Sequence, residues 1–259
     1  MTTIREIIDA LERFAPLPLQ DDYDNSGLQV GLTETEASGA LLCLDVTEAV
    51  IEEARTLGCN LVVSHHPLIF RPLKQVTDAT YQERCVMLAV KYGITLYACH
   101  TNLDNAEGGV SFMMAQKLGL QDVRFLSTSD GKSGAGVVGR MPQKYSEQAF
   151  CDAVKRVFAL DTMRCNEHFD GCIETVAVCG GSGAFLITDA ERAGADAFLT
   201  GEIGYHRFFG YGGKLLLMEL GHYESERYTP ELLQKIISDN FPELPVRVVK
   251  LNTNPIRNI

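Results

Sequence analysis

Apolar residues at helical spacing open the chain and predict an amphipathic helix that buries Ile4, Ile7, Ile8, Leu11 and Phe14. Similar patterns predict helices over residues 45–56, 81–92, 110–118, 147–158, 187–193 and 226–241. Short apolar runs between them predict strands over residues 40–44, 61–63, 94–98, 136–140, 175–179, 197–200, 215–220 and 246–251. Strands and helices therefore alternate along most of the chain.

This alternation predicts an α/β fold, because strand–helix–strand crossovers build a largely parallel sheet. At 259 residues the chain is long enough for two α/β lobes. Residues 127–136 are rich in Ser, Gly and Asp and mark the predicted boundary. We expect an N-terminal lobe over residues 1–126 that carries most of the candidate metal ligands. The second lobe covers 127–259, and its last part, about 215–259, returns to the same cleft.

Composition narrows the class of partner. The chain is 46% hydrophobic and 22% charged, as in ordinary soluble globular proteins. Its formal net charge of −11 argues against a broad surface for nucleic acid or anionic membrane. An anionic small molecule stays compatible, because bound divalent metals can reverse the local field. No apolar run reaches the roughly 18 residues that span a bilayer, and the first residues lack the layout of a signal peptide. We therefore expect a cytoplasmic protein.

The eight cysteines contain no CxxC pair and form no dense framework. Five of them lie in apolar stretches: Cys43, Cys59, Cys85, Cys99 and Cys179. Buried free thiols of this kind are typical of a reducing compartment, so we expect no disulfide scaffold.

Histidines are concentrated at the C-terminal ends of predicted strands. Four of the six follow such strands directly: His65, His66, His100 and His222. Imidazole is the commonest metal ligand among side chains, and in an open parallel sheet ligands bind outside the carboxyl ends of the strands. The histidines therefore predict one shared metal site.

Carboxylates accompany two of these strand ends. Asp104 lies four residues after His100, and Glu226 lies four residues after His222. If a helix begins near His222, then His222 and Glu226 share one face. The predicted metal ligands are His65, His66, Asp104, His222 and Glu226. Five ligands are more than the four of a structural zinc site, and they indicate two divalent ions per chain. Nitrogen and oxygen ligands are compatible with Zn, Fe, Mn, Ni or Co.

Several roles stay open at this level. Adjacent strand residues face opposite ways, so His65 and His66 serve one site only if Pro67 breaks the strand, or they serve two metals side by side. His100 is either a ligand or a hydrogen-bonding partner of a ligand; we favour the second.

The candidates for acid–base catalysis are Glu202, His206 and His100. Glu202 and His206 follow another predicted strand, and the alternative for them is a polar loop without chemistry. His168 lies in a polar stretch and is interpreted as a surface residue.

The glycine-rich segment Gly180-Gly181-Ser182-Gly183 follows a strand and precedes a helix. Backbone amides at such a junction can bind phosphate. The segment lacks the Lys-Ser/Thr ending of a P-loop and does not fit GxGxxG. We favour the interpretation as a tight strand-to-helix turn.

These motifs together resemble the Nif-three-like dinuclear-metal-centre family, whose members are often called GTP cyclohydrolase 1 type 2 homologues. The resemblance rests on six ordered motifs: residues 24–31 (DNSGLQVG), 64–67 (SHHP), 100–104 (HTNLD), 179–183 (CGGSG), 200–202 (TGE) and His222 with Glu226. It implies that His65, His66, Asp104, His222 and Glu226 are the metal ligands, and that the protein forms a ring-shaped hexamer. Some relatives carry an inserted middle domain, for which this chain is too short.

The first functional hypothesis is a metal-dependent hydrolase that acts on a nucleotide or a similar small molecule, with ring opening of GTP as the specific reaction. The second is a metal chaperone or insertase that binds exchangeable ions without catalysis. The third is an interaction scaffold whose fold the metal stabilises. The metal, the substrate and the acid–base residue are left open.

Overall fold

The structure is a computed structural model, and it describes residues 1–257. It divides into two compact units: Met1–Leu103 with the segment that begins at Thr229, and Asp104–Tyr228. The segment 127–136, predicted as a boundary, lies inside the second unit, where it connects two paired strands. The predicted lobes over 1–126 and 127–259 are thus a different division of the chain from these units.

The first unit is built on a five-stranded sheet with the strand order β1-β4-β3-β2-β11. Its strands are β1 (Gly27–Val30), β2 (Ala40–Cys43), β3 (Leu61–Ser64), β4 (Thr95–Ala98) and β11 (Val246–Val248). Its helices are α1 (Ile4–Phe14), α2 (Glu48–Thr56), α3 (Tyr81–Tyr92) and α9 (Thr229–Asn240), and α4 (Thr101–Asp104) follows β4. Only β1 runs antiparallel to its neighbour, so this sheet is mainly parallel as predicted.

Both faces of this sheet are covered. Leu41, Val62 and Leu96 pack with the buried faces of α2 and α3, and α9 packs against β2 and β11. The residues of β2, β3 and β4 are all buried, which explains their uninterrupted apolar runs. The helices end where local signals predict: Gly93 adopts a left-handed conformation after α3 and accommodates it without a Cβ penalty.

The second unit contains a six-stranded sheet with the order β5-β6-β8-β9-β10-β7. Its strands are β5 (Gln121–Ser127), β6 (Ala135–Tyr145), β7 (Arg164–Cys165), β8 (Ile173–Cys179), β9 (Ala197–Thr200) and β10 (Leu216–Glu219). Its helices are α5 (Val110–Leu118), α6 (Glu147–Val157), α7 (Ile187–Arg192) and α8 (His222–Glu226). α5 and α6 pack on one face and α7 on the other.

This second sheet is mixed. β8, β9 and β10 are parallel, whereas β5, β6 and β7 pair antiparallel with their neighbours. The sequence pattern missed β5, because four of its seven residues are polar or charged (Gln121, Asp122, Arg124 and Ser127) and most of the strand is not buried. Pairing with β6 holds this strand, and that pairing depends on tertiary structure.

Candidate metal centre

The carboxyl ends of three neighbouring parallel strands lie side by side in the first unit. β3 lies between β2 and β4. Asp45 follows β2, His65 and His66 follow β3, and His100 follows β4. A parallel sheet presents the ends of its strands at one edge, so these side chains come from different segments to the same place.

Strand β3 ends at Ser64, in agreement with the prediction that Pro67 breaks the strand. The backbone amides of His65 and His66 still donate to the carbonyls of Cys43 (3.1 Å) and Leu44 (2.9 Å), but neither residue belongs to β3. Ser64 Oγ donates to the carbonyl of His66 at 2.8 Å. Because the chain bends here, the two adjacent imidazoles lie on the same side, with ring centroids 4.9 Å apart.

Three imidazoles form a cluster at this edge. The ring of His100 lies 5.3 Å from that of His65 and 5.4 Å from that of His66, measured between centroids. One ring nitrogen from each of the three residues lies within 4.8 Å of the others. His65 is fully buried, and the His66 side chain is 22% exposed. The cluster is therefore partly accessible from solvent.

Each imidazole of the cluster is held at Nδ1 by an oxygen. His65 Nδ1 lies 2.7 Å from the carbonyl oxygen of Cys99, His66 Nδ1 lies 2.8 Å from Asp45 Oδ1, and His100 Nδ1 lies 2.7 Å from Asp24 Oδ1. Carbonyl and ionised carboxylate oxygens only accept hydrogen bonds, so Nδ1 carries the proton in all three. The lone pair of each neutral ring is then on Nε2, the usual arrangement of metal-binding histidines.

Asp24 is the most heavily bonded of these oxygen partners. Its side chain is fully shielded from solvent and accepts hydrogen bonds from His100 Nδ1, from the Thr101 hydroxyl (2.5 Å) and from the Ser26 hydroxyl (2.7 Å). Burial by itself raises the pKa of Asp24, but these three donors outweigh it and hold the pKa well below its ordinary value. Asp24 is therefore a fixed negative charge at neutral pH.

Asp45 has the same role for His66. Burial raises the pKa of Asp45, and hydrogen bonds from His66 and from the Thr253 hydroxyl (3.0 Å) lower it by more. Neither Asp24 nor Asp45 was among the predicted site residues. A signal for Asp45 was present, because it follows a strand end just as the histidines do. Asp24 lies in a loop that only the fold brings to His100.

The three imidazoles of the first unit have the chemistry of a site for a divalent metal ion. Three imidazoles, each with one ring nitrogen within 4.8 Å of the others, suit Zn, Fe, Mn, Ni or Co. Three imidazolium ions at these separations would repel one another. The oxygens at Nδ1 fix the tautomer and the orientation of each ring, as the hydrogen-bonding partners of metal-bound histidines do. His100 has the same arrangement as the other two, so the structure keeps both of its roles open.

Three parallel strand ends also meet in the second unit. β8 leads into the segment Gly180–Gly183, β9 into Gly201 and Glu202, and β10 into Gly221 and His222. The prediction that His222 and Glu226 share a helical face is confirmed, on the separate short helix α8 rather than on the last long helix. His222 Nε2 lies 3.1 Å from Glu226 Oε2.

Glu202 lies against the other nitrogen of the same ring. His222 Nδ1 is 2.8 Å from Glu202 Oε1, and the Ser182 hydroxyl donates to Glu202 Oε2 at 2.5 Å. The hydrogen bond from Ser182 lowers the pKa of Glu202, burial opposes this, and the bond from His222 lowers it further. Carboxylates therefore lie at both ring nitrogens of His222, and the one at Nε2, Glu226, is buried.

The glycine segment 180–183 packs closely against α8 and leaves no room for a side chain at Gly181. Gly181 has φ +57°, and a Cβ there would lie 2.4 Å from Glu226 Oε1. The amide of Gly181 donates to Ser225 Oγ (3.1 Å), and the amide of Gly183 donates to Thr200 Oγ1 (2.9 Å). Two of the backbone amides that would have to bind a phosphate therefore already donate to hydroxyl groups of the protein. The interpretation as a tight turn is favoured over phosphate binding.

The remaining candidates have diverse surroundings. Asp104 is the last residue of α4 and is partly buried. His206 is exposed in the turn Tyr205–Phe208, where its ring contacts Tyr205 at 5.2 Å between centroids. His168, interpreted as a surface residue, is exposed with 71% of its side chain accessible and pairs with Glu147.

The cysteines behave as the sequence predicted. The five cysteines predicted in apolar stretches are buried reduced thiols: Cys43, Cys59, Cys85, Cys99 and Cys179. Burial raises the pKa of Cys85 to about 12. The raised pKa keeps Cys85 in the protonated thiol form, which is a poor nucleophile.

Within residues 1–257, no helix has both the length and the apolar character that crossing a membrane requires.

Comparison with known proteins gives one consistent result. The family model described as Duf34/NIF3 (NGG1p interacting factor 3) matches residues 2–255. Among curated proteins, the chain is 35% identical to a Lactococcus lactis protein named GTP cyclohydrolase 1 type 2 homolog, over 88% of each chain. It is 31% identical to the protein of that name from Streptococcus pneumoniae, over 98% of each. A solved structure of a Staphylococcus aureus hypothetical protein is 25% identical, covers 99% of both chains and has a TM-score of 0.92.

Proposed function

This chain belongs to the Duf34/NIF3 family, and we propose that it is a hydrolase that depends on two divalent metal ions and opens the ring of a nucleotide such as GTP. The observation that carries the proposal is the imidazole cluster of His65, His66 and His100, with each Nδ1 bound to an oxygen. The name GTP cyclohydrolase 1 type 2 homolog, given to relatives, supports a nucleotide as the substrate.

We assign the metal ions to the residues predicted from the sequence, which offer imidazole nitrogens and carboxylate oxygens: His65, His66, Asp104, His222 and Glu226. Divalent ions at these residues would supply Lewis acidity and bring the pKa of a bound water toward neutrality. Glu202 orients His222 through Nδ1, and Asp45 orients His66 in the same way.

His100 is the proposed acid–base residue. Asp24, ionised and shielded, holds the proton on Nδ1 of His100, so Nε2 is free to take a proton during hydrolysis and to return it. A carboxylate that orients a catalytic imidazole in this way is a recurring arrangement. Glu202 is less suited, because it already accepts hydrogen bonds from Ser182 and His222.

The test uses the full chain, stripped of metal and then loaded separately with Zn, Mn, Fe, Ni or Co. Metal content and GTP turnover are measured for the wild type and for His65→Ala, His100→Gln and His168→Ala. We expect His65→Ala to lose both. We expect His100→Gln to keep its metal and lose about 10²–10⁴-fold in turnover, the range of general acid–base catalysis. His168→Ala, an exposed control, should match the wild type.

Two outcomes contradict the proposal in different ways. If no metal supports turnover of GTP or of other purine nucleotides, the hydrolase assignment is wrong. If His100→Gln loses metal together with activity, His100 is a ligand and another group moves the proton.

A metal-delivery role is the second candidate, and the exposure of the histidines favours it. The side chain of His222 is 32% exposed and that of His66 is 22% exposed, so ions held by them would be open to exchange. This role predicts rapid transfer of metal to a chelator without nucleotide turnover. Slow release to the chelator would count against it. A proposed ring-shaped hexamer is compatible with either role, and light scattering tests it.

A further inference from the structure

Two exposed aromatic rings lie at the rim of the imidazole cluster. Phe70 is 42% exposed and Tyr23 is 66% exposed, and their ring centroids are 6.3 Å apart in an edge-to-face arrangement. The ring of Phe70 is also 6.0 Å from that of His100. Phe70 therefore lies next to His100, the residue to which we assign proton transfer.

Hydrogen bonds connect the chain next to Tyr23, including β1, with the chain next to Phe70. Asn25 Nδ2 donates to the carbonyl of Ile69 at 2.6 Å, and the amide of Ile69 donates to Gln29 Oε1 at 3.1 Å. Gln29 Nε2 donates in turn to the carbonyl of Asn25 at 2.7 Å. The neighbours of Tyr23 and Phe70 are therefore tied together, and the rings stay exposed on a fixed backbone.

The size and charge of this surface favour a small planar molecule. Two partly exposed rings offer on the order of 200 Å², well below the roughly 800 Å² per partner of a stable protein interface. The neighbouring residues Asp21 and Asp22 are acidic, and Tyr23 donates its hydroxyl to Asp21 Oδ2 at 2.9 Å. Negative charge at this edge disfavours phosphate groups and favours a neutral heteroaromatic ring with N–H donors.

We propose that Phe70, with Tyr23 beside it, stacks on the purine base of the substrate and sets specificity for a planar heteroaromatic ring. This inference rests on the proposed function in that the substrate is a nucleotide. It adds the position of the base, with the phosphates directed away from residues 21–24, and it identifies binding residues outside the proposed metal ligands and the acid–base candidates.

The absence of tryptophan from the chain makes a direct test available. Phe70→Trp introduces a single fluorescent reporter at the proposed stacking position, and stacking with a base should quench it. The probes are guanosine monophosphate, which has the base, and ribose 5-phosphate, which lacks it. Val90→Trp is the matched control, because Val90 is 67% exposed near the end of α3, at the opposite edge of the sheet from His100.

Affinity is measured by calorimetry on the metal-free full chain. Phe70→Leu keeps apolar bulk and removes the aromatic face; we expect about a 10-fold or larger rise in Kd for guanosine monophosphate. Phe70→Tyr should restore affinity. Ribose 5-phosphate should leave Phe70→Trp unquenched, and neither probe should change the fluorescence of Val90→Trp. Equal Kd values for Phe70→Leu and the wild type would overturn the inference. So would a change of oligomeric state in Phe70→Leu, since the pair would then be a subunit contact.

The results distinguish a failure of this inference from a failure of the proposed function. If guanosine monophosphate binds through Phe70 and no metal supports turnover, stacking is retained and the hydrolase assignment is lost. If the wild type turns over GTP and Phe70→Leu changes neither Kd nor KM, the aromatic pair has no part in substrate binding.

Discussion

His100 Nδ1 lies 2.7 Å from Asp24 Oδ1, across 76 residues of sequence. The carboxylate is shielded from solvent and is surrounded by donors, so it fixes both the orientation and the tautomer of the imidazole. Similar pairs join His66 to Asp45 and His222 to Glu202. Oriented imidazoles are thus a shared property of both groups of candidate residues.

Replacement of Asp24 tests this network directly. In Asp24→Asn the amide nitrogen faces donors such as Thr101 N and the Thr101 hydroxyl, which leaves buried groups badly matched. We expect a loss of about 1–3 kcal/mol in the free energy of unfolding of the metal-free protein, measured by urea denaturation. Asp22→Asn, at the exposed neighbouring aspartate, is the control and should change stability by less than about 0.5 kcal/mol.

Comparison of the wild type with Asp24→Asn also gives a prediction for the pH dependence of stability. Because the native pKa of Asp24 is lowered, its ionisation stabilises the fold fully above the unfolded-state pKa of about 3.9. That stability is lost as pH falls below this value toward the native pKa. The difference in unfolding free energy between wild type and Asp24→Asn should be constant from about pH 5 to 7 and shrink below about pH 4. A difference that grows on acidification would show that the carboxyl is not stabilised in its ionised form.

Glu202→Gln tests the orientation of His222. The substitution keeps the size of the side chain and removes the negative charge opposite Nδ1, so we expect a 10–100-fold loss of metal affinity, as for other partners of ligating histidines. Titration with a competing chelator measures this affinity. Glu191→Gln on the exposed side of α7 is the control. Unchanged affinity in Glu202→Gln would mean that His222 is positioned by α8 alone.

Gly201→Ala tests the close packing around α8. An added Cβ would lie 2.7 Å from the carbonyl oxygen of Gly181 and 2.9 Å from the Cα of His222, both backbone atoms. We expect a loss of about 1–3 kcal/mol in unfolding free energy, together with weaker metal binding. Gly204→Ala is a matched control in the same loop, since nothing lies within 4 Å of its Cβ position. Similar melting temperatures for the two variants would contradict the packing argument.

Thiol reactivity should follow burial. Cys172 is exposed, whereas Cys43, Cys85 and Cys99 are buried with raised pKa values. We expect alkylation of the native protein at Cys172, and protection of the buried thiols until the chain is unfolded. Mass spectrometry of labelled peptides measures this order. Early labelling at Cys99 would indicate local opening next to His100.

Local patterns were sufficient for most helices and strands. Tyr81–Tyr92 and Val110–Leu118 are helices over the predicted residues, and Gly93 and Gly119 end them in the left-handed conformation. These elements depend on contacts within a few residues, which periodicity and capping signals report. β5 was missed because polar residues in a half-exposed strand carry little local signal.

Sequence alone determined the class of the fold, the strand-end positions of the histidines and the family. Only the tertiary structure decided which oxygen holds each imidazole, as for His100 with Asp24 and His66 with Asp45. It also decided that Tyr23 and Phe70 share the rim of the cluster. The reason is physical: helix and turn signals come from neighbours along the chain, whereas these contacts join segments whose proximity is set by the order and direction of strands in the sheet.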